Sequence, residues 1–183
     1  MQEKDFLRKK YFSIRKKKYF EIEKTFFSPL TKLIKKKLYN KKINISIYYP
    51  ASFELNALKL LEIDYIARQT ILLPVIEENN LMNFFKWKVS EVLFVNKYGM
   101  LEPIRSKAVV PNVIIVPLLS FDNNKYRLGY GKGFYDRYLN RYLKKFNNII
   151  TIGIAFSFQK YHKLPVNNND VKLDYILTEK GIF

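Results

Sequence analysis

The 183-residue chain reads as a single α/β domain with a central, mostly parallel or mixed sheet flanked by helices. Three observations predict it. An apolar strand signal at Val113–Val116 leads into a glycine-rich loop, a helical stretch at Phe134–Phe146 and a second apolar strand signal at Ile149–Phe156. Other strand candidates are likewise separated by longer helical stretches. The hydrophobic fraction of 48% is enough for one substantial core, and no repeat or low-complexity linker argues for a second domain.

Taken in order, residues 3–39 read mainly as helix, interrupted near Pro29. Leu7, Tyr11, Ile14 and Lys18 define one helical face, and Leu30, Leu33, Ile34 and Leu38 define another. Residues 43–49, INISIYY, alternate as a strand that Pro50 ends. A helical pattern from Glu54 to about Gln69 precedes a short strand at Thr70–Val75. Met82–Lys86 and Val92–Val95 are shorter elements, with a turn around Gly99. The last strand candidate is Asp174–Thr178. In such domains functional loops collect beyond the carboxyl ends of the strands.

Composition narrows the class. There are no cysteines, so disulfide and thiol chemistry are excluded. No apolar run reaches membrane-spanning length, and the charged start lacks the apolar stretch of a secretory signal, so a cytoplasmic protein without a membrane partner is expected. A formal charge of +17 invites a nucleic-acid reading. Yet the lysines are spread through most segments among Asn, Ile, Tyr and Phe, which is a global composition bias. The dense runs at 8–18 and 35–42 read as solvated helical faces. No specific nucleic-acid partner is expected, and a monomer is.

Residues 122–138, DNNKYRLGYGKGFYDRY, carry the strongest chemical signal, with three of the six glycines at Gly129, Gly131 and Gly133. Glycine allows tight turns with accessible amides, Lys132 adds a mobile charge, and the following helix start favours an anion. The spacing is neither a Walker A loop nor a dinucleotide fingerprint. Spacing alone leaves a phosphate loop and a structural turn both open. Asp136 stands out in this basic setting, and a nearby metal ion would account for it.

The glycine segment and its neighbours resemble the 5-formyltetrahydrofolate cyclo-ligase (methenyltetrahydrofolate synthetase) family. The resemblance runs through Lys4-Asp5-Phe6-Leu7-Arg8, Tyr49-Pro50 with Glu54, Leu73-Pro74, Phe85-Lys86-Trp87, Glu102-Pro103, Ile114–Pro117 and RLGYGKGFYDRYL at 127–139. It continues in GIAFSFQ at 153–159, Leu164-Pro165 and Leu173-Asp174. It implies ATP-dependent cyclisation of 5-formyltetrahydrofolate to 5,10-methenyltetrahydrofolate, with ATP and Mg²⁺ required. The rival reading is a non-catalytic nucleic-acid or anionic-metabolite binding protein using the basic surface.

The resemblance also implies roles. Lys4 and Arg8, one helical turn apart, become ATP phosphate ligands, and Arg127, Leu128, Gly129, Tyr130, Gly131, Lys132, Gly133, Phe134 and Tyr135 the main nucleotide-binding segment, with Gly129, Gly131, Lys132 and Gly133 near the phosphates. Lys132 and Arg127 are the expected catalytic side chains, and Asp136 and Asp174 the expected Mg²⁺ ligands. Tyr49, Glu54, Trp87 and Gln159 are expected at the folate, with Phe53 and Phe85 as further apolar candidates. Without the resemblance, Lys4 and Arg8 would be an exposed basic face, Asp136 a helix-start residue and Asp174 a surface aspartate. Asp122 and Asp170 are weaker metal candidates, and the single histidine, His162, reads as an exposed turn residue. Arg137 is left open between the site and the helix surface. Leu55-Asn56-Ala57 and Pro111-Asn112 depart from the usual family wording.

Overall fold

The computed structural model describes residues 2–39 and 41–183. It opens with helix α1 (Gln2–Lys18), then an extended stretch, a short 3-10 turn at Lys24–Phe27 and helix α2 (Ser28–Lys37). The interruption expected near Pro29 lies instead at residues 19–23. Pro29 sits in the first turn of α2, where a missing N–H costs no helical hydrogen bond.

Strand β1 (Asn44–Ser46) is shorter than the 43–49 segment expected, although the Ile47 N–H still donates to the Leu72 carbonyl of the neighbouring strand at 3.0 Å. The helix expected over 54–69 is a 3-10 turn at Ala57–Glu62 followed by a single turn, α3 (Asp64–Ala67). Two features prevent a continuous helix. The Asn56 side chain caps the tight turn at the Leu58 N–H, and Ile63 is extended between the two pieces. Leu55, Ala57, Leu60 and Ile66 are all buried in one core, so packing overrides the helical pattern.

β2 (Thr70–Ile76) and β3 (Met82–Lys86) follow, then an outlying hairpin of β4 (Leu93–Val95) and β5 (Leu101–Pro103). β6 (Val113–Val116) leads into the two-residue strands β7 (Ser120–Phe121) and β8 (Arg127–Leu128), a ribbon the sequence pattern did not signal. Helix α4 (Phe134–Tyr142), β9 (Ile150–Ile154), β10 (Tyr175–Thr178) and β11 (Gly181–Ile182) complete the chain.

Among the described residues seven strands form one sheet in the order β11-β10-β9-β6-β1-β2-β3. The five inner strands are parallel, and β3 and β11 close the edges antiparallel. The mixed α/β expectation therefore holds. Period-two alternation divides the interior into two layers. Val113 and Ile115 face a core with Phe27, Leu30 and Ile34, whereas Ile114 and Val116 face Tyr138 and Leu139 of α4. A third, smaller cluster of Leu7, Tyr11, Leu119, Leu128 and Leu164 docks α1.

The strand order reverses between β1 and β6: β1 leads to β2 on one side, and β6 leads to β9 on the other. Ligand crevices form at such a reversal, beyond the carboxyl ends of the strands.

Gly153 shows how closely the sheet is covered. A Cβ there would come within 2.8–2.9 Å of terminal methyls of Ile176, Leu118 and Leu173, which approach from three different segments. Gly153→Ala is expected to cost about 1–3 kcal/mol by overpacking, read as a lower urea midpoint with an unchanged m-value.

Candidate active site

A cleft of about 1680 Å³ opens at the carboxyl edge of the parallel strands. Its walls include Tyr48, Tyr49 and Glu54 after β1, Arg127 to Arg137 from β8 into α4, Lys4 and Arg8 from α1, the turn at Tyr98 to Glu102, and Pro165 to Asp170.

The glycine loop is shaped by steric necessity. Gly131 has φ +95°, and a Cβ on it would press against the Arg8 guanidinium at 3.1–3.3 Å. Gly133, at φ +67°, is the N-cap of α4, and a Cβ there would meet Arg137 Nη1 at 2.8 Å. Side chains at either position would be disfavoured by backbone and by contact alike. Arg8 Nε donates to the Gly129 carbonyl at 3.0 Å, tying α1 to the loop. Tyr11 adds a bond to the Lys160 carbonyl at 3.0 Å, so the basic helix is packed in place along its length.

Three site cations already hold carboxylates: Lys4 pairs with Asp170, Arg8 with Asp5, and Arg127 with Asp136 at 2.8 Å. Asp136 Oδ1 also accepts from the Val171 N–H at 3.2 Å. Arg127 is buried, so its first effect is to hold Asp136 in the wall. Lys132 has no ion pair among the described residues; its Nζ lies 5.8 Å from the centre of the Tyr98 ring. Arg137 lines the cleft and donates from Nε and Nη2 to the Asn80 carbonyl, at 3.2 and 2.8 Å.

On the cleft wall after β1, Glu54 closes a short turn: its Oε2 accepts from the Ala51 N–H at 2.9 Å. Its Oε1 accepts from the Tyr130 hydroxyl at 2.6 Å. Burial raises the Glu54 carboxyl above the ordinary range, opposed by hydrogen bonds from Tyr130 and Ala51 and by the charge of Arg15. The Tyr130 phenol is pushed well above its usual value, by burial first and then by Glu54, so it remains a donor. Burial likewise raises Tyr48 and Tyr135. The Tyr135 hydroxyl is buried and has no hydrogen-bond partner among the described residues.

The expected residues Lys4, Arg8, Tyr49, Glu54, Arg127, Leu128, Gly129, Tyr130, Gly131, Lys132, Gly133, Phe134, Tyr135 and Asp136 thus share one cleft. Trp87, Gln159 and Asp174 do not join them, and each has a physical reason. Trp87 follows β3, which runs antiparallel to β2, and so packs beside Ile71 at the amino edge of the sheet. Asp174 precedes β10 at that same edge, where its Oδ2 accepts from the Thr151 N–H and hydroxyl at 2.8 Å each. Gln159 is buried, its amide N–H groups held by the Leu118 and Leu119 carbonyls and its oxygen by the Phe156 N–H. Phe53 and Phe85 do not line the cleft either; its apolar surface includes Tyr48, Ile76, Met82, Tyr98, Met100 and Phe134.

One residue with a central place was missed. Arg15 was read as part of a solvated basic run, yet it is 1% exposed and bonds Leu118, Ser52 and Tyr130. The available signal was its spacing, four residues beyond Tyr11 and eight beyond Leu7 on the buried face, and its being an arginine among lysines.

A glycine-lined, cation-rich cleft with a shielded carboxylate bonded to its loop, placed at a strand-order reversal, is a site of the kind that suits an anionic ligand in α/β proteins. Sequence comparison agrees: residues 1–179 match the 5-formyltetrahydrofolate cyclo-ligase family. The 5-formyltetrahydrofolate cyclo-ligase of Haemophilus influenzae is 29% identical over 141 residues, covering 73% of this chain and 74% of that protein. The corresponding protein of Mycoplasma pneumoniae is 36% identical over 94 residues, covering 50% and 51%. Among solved structures, the NMR structure of Aquifex aeolicus 5,10-methenyltetrahydrofolate synthetase superposes with a TM-score of 0.76 at 29% identity, covering 98% of this chain and 91% of that one. The chain belongs to the 5-formyltetrahydrofolate cyclo-ligase family.

The raised Glu54 carboxyl has a measurable consequence. The folded protein takes up a proton there more readily than the unfolded chain, so Glu54's contribution to stability falls as pH rises from its ordinary value of 4.5 through the raised folded value. In urea titrations across that window, wild type is expected to lose stability relative to Glu54→Gln as pH rises. A stability difference independent of pH would contradict the raised carboxyl.

Proposed function

We propose that the cleft binds ATP and 5-formyltetrahydrofolate side by side and cyclises the folate to 5,10-methenyltetrahydrofolate, releasing ADP and phosphate. The observation that carries this is the direct bond between the glycine loop and the distant carboxylate: Tyr130 lies between Gly129 and Gly131 and donates to Glu54 at 2.6 Å. An anion-binding loop and an acceptor suited to a pterin's amino and ring N–H groups therefore adjoin each other. Family membership favours this ligase reading over non-catalytic nucleic-acid binding.

The formyl oxygen is a poor leaving group. Transfer of the γ-phosphoryl group to it makes a good one; N10 then attacks the formyl carbon, the carbon–oxygen bond breaks, phosphate departs and N10 gives up its proton. No covalent protein nucleophile is required. The protein's work is alignment and charge stabilisation. Lys4 and Arg8 meet the phosphates by exchanging Asp170 and Asp5 for phosphate oxygens. Lys132, mobile and without an ion pair, follows the transferring group. Backbone amides of the loop and the start of α4 add fixed dipoles. Glu54 orients the pterin, with Tyr49 beside it.

Asp136 fits a Mg²⁺ that arrives with the nucleotide. No group of three or more His, Cys, Asp or Glu side chains is placed to hold a metal among the described residues, but Mg²⁺ commonly takes one carboxylate and completes its shell with phosphate oxygens and water. Among the described residues, Arg127 and the Val171 N–H both engage Oδ1 of Asp136, and no bond is made to Oδ2. The ion would offset phosphate charge. Asp174, beside Thr151, is left out of that set.

Incubation with 5-formyltetrahydrofolate, ATP and Mg²⁺ should yield the methenyl chromophore, and omission of ATP should abolish it. Folded protein giving no ATP-dependent product would overturn the reading. Lys132→Ala should lower kcat by on the order of 100-fold or more, as for loss of one transition-state donor. Lys132 is exposed, so its melting temperature should hardly move. An unchanged kcat would remove Lys132 from the chemistry.

A further inference from the structure

We propose that Arg15 and Tyr130 are positioning residues, forming a relay that sets Glu54 for the folate and couples folate binding to occupancy of the phosphate loop; this rests on the function proposed above.

Arg15 projects from α1 into the strand-order reversal and is 1% exposed. Its Nη1 donates to the Leu118 carbonyl, just beyond β6, at 3.2 Å. Its Nη2 donates to the Ser52 carbonyl, in the loop after β1, at 2.8 Å, and also to the Tyr130 hydroxyl. One side chain thus grips the carboxyl sides of both central strands and the glycine loop. Only arginine's planar fork can do this from a buried position.

The Ser52 contact falls where it is most needed. Ser52 and Phe53 have φ of +49° and +63°, consecutive non-glycine residues in a region that side chains disfavour. Such backbone persists only when its surroundings over-determine it. Here the determinants are Arg15 on the Ser52 carbonyl and Glu54 closing the turn onto the Ala51 N–H. The strained turn is what presents Glu54 to the cleft.

Tyr130 completes the chain. Its hydroxyl accepts from Arg15 and donates to Glu54, so the carboxylate is linked to a buried guanidinium through one phenol. Meanwhile the preceding carbonyl, Gly129, is held by Arg8. A phosphate held by Arg8 and the loop amides adds further ties to the segment that already sets the Tyr130 hydroxyl against Glu54. Linkage requires the reverse effect to be equally large. Folate and nucleotide should therefore tighten each other's binding, with Tyr130 as the connection.

The test is calorimetric titration of wild type, Tyr130→Phe, Arg15→Lys and the double variant with 5-formyltetrahydrofolate, with and without a saturating non-hydrolysable ATP analogue and Mg²⁺. Losing a hydrogen bond to a charged group should weaken folate binding about tenfold in Tyr130→Phe. The enhancement by the analogue should collapse, while the analogue's own affinity stays within about twofold because that contact is not to phosphate. In the double variant the losses should be less than additive. Unchanged folate affinity in Tyr130→Phe would overturn the relay. So would strictly additive losses, or an equal weakening of both ligands together with a lower melting temperature, which would mark a purely structural role. Wild-type protein that fails to bind the folate would overturn the functional reading itself, and the relay with it.

Discussion

The parallel pairing of β1 with β6 is the constraint on which the rest of the molecule depends. It is short, with Ile45 opposite Val113 and Ser46 opposite Ile114. From it the chain departs in opposite directions. The connection from β1 to β2 packs Leu55, Ala57, Leu60 and Ile66 on one face of the sheet, and the connection from β6 to β9 packs Tyr138 and Leu139 on the other. The two connections diverge, and the space between their starting points is the cleft. Tyr49 and Glu54 are where they are because they follow β1; the glycine loop is where it is because it follows β6 through the β7–β8 ribbon.

Helix α1 turns that crevice into a site. Its apolar residues Leu7 and Tyr11 dock on Leu119, Leu128 and Leu164, and this hydrophobic attachment brings Lys4 and Arg8 to the cleft half-buried and buries Arg15. In a chain of formal charge +17, the crowding of cations around one loop would be repulsive. The structure offsets it with Asp5, Asp136 and Asp170, each on a different cation. The cations are thereby held in place by carboxylates, and on the function proposed above a phosphate would exchange one oxygen partner for another. Preorganised charge of this kind is the principal means by which a protein lowers the barrier to phosphoryl transfer.

Much of this was legible in the order of residues. The apolar run VIIV at 113–116, the glycine loop and the helix beginning at Phe134 signal their own local conformations, since strand alternation and glycine backbone freedom act over a few residues. Other elements were not legible, for reasons that are also specific. The segment 54–69 has helical spacing but is packed into the core as two tight pieces around an extended Ile63. Arg15 looked solvated because its neighbours Lys16, Lys17 and Lys18 are; only its angle around α1 turns it inward.

By itself the sequence determined the α/β class, a glycine loop running into a helix at Phe134, and the family whose motifs run through the chain. Which of the candidate residues meet was decided by tertiary structure. Glu54 and Tyr130, 76 positions apart, bond directly, whereas Trp87 and Asp174 are carried to the opposite edge of the sheet. Strand direction is the physical reason. A parallel strand delivers its two ends to opposite edges, and whether a residue precedes or follows its strand in space depends on pairings made far away in the chain.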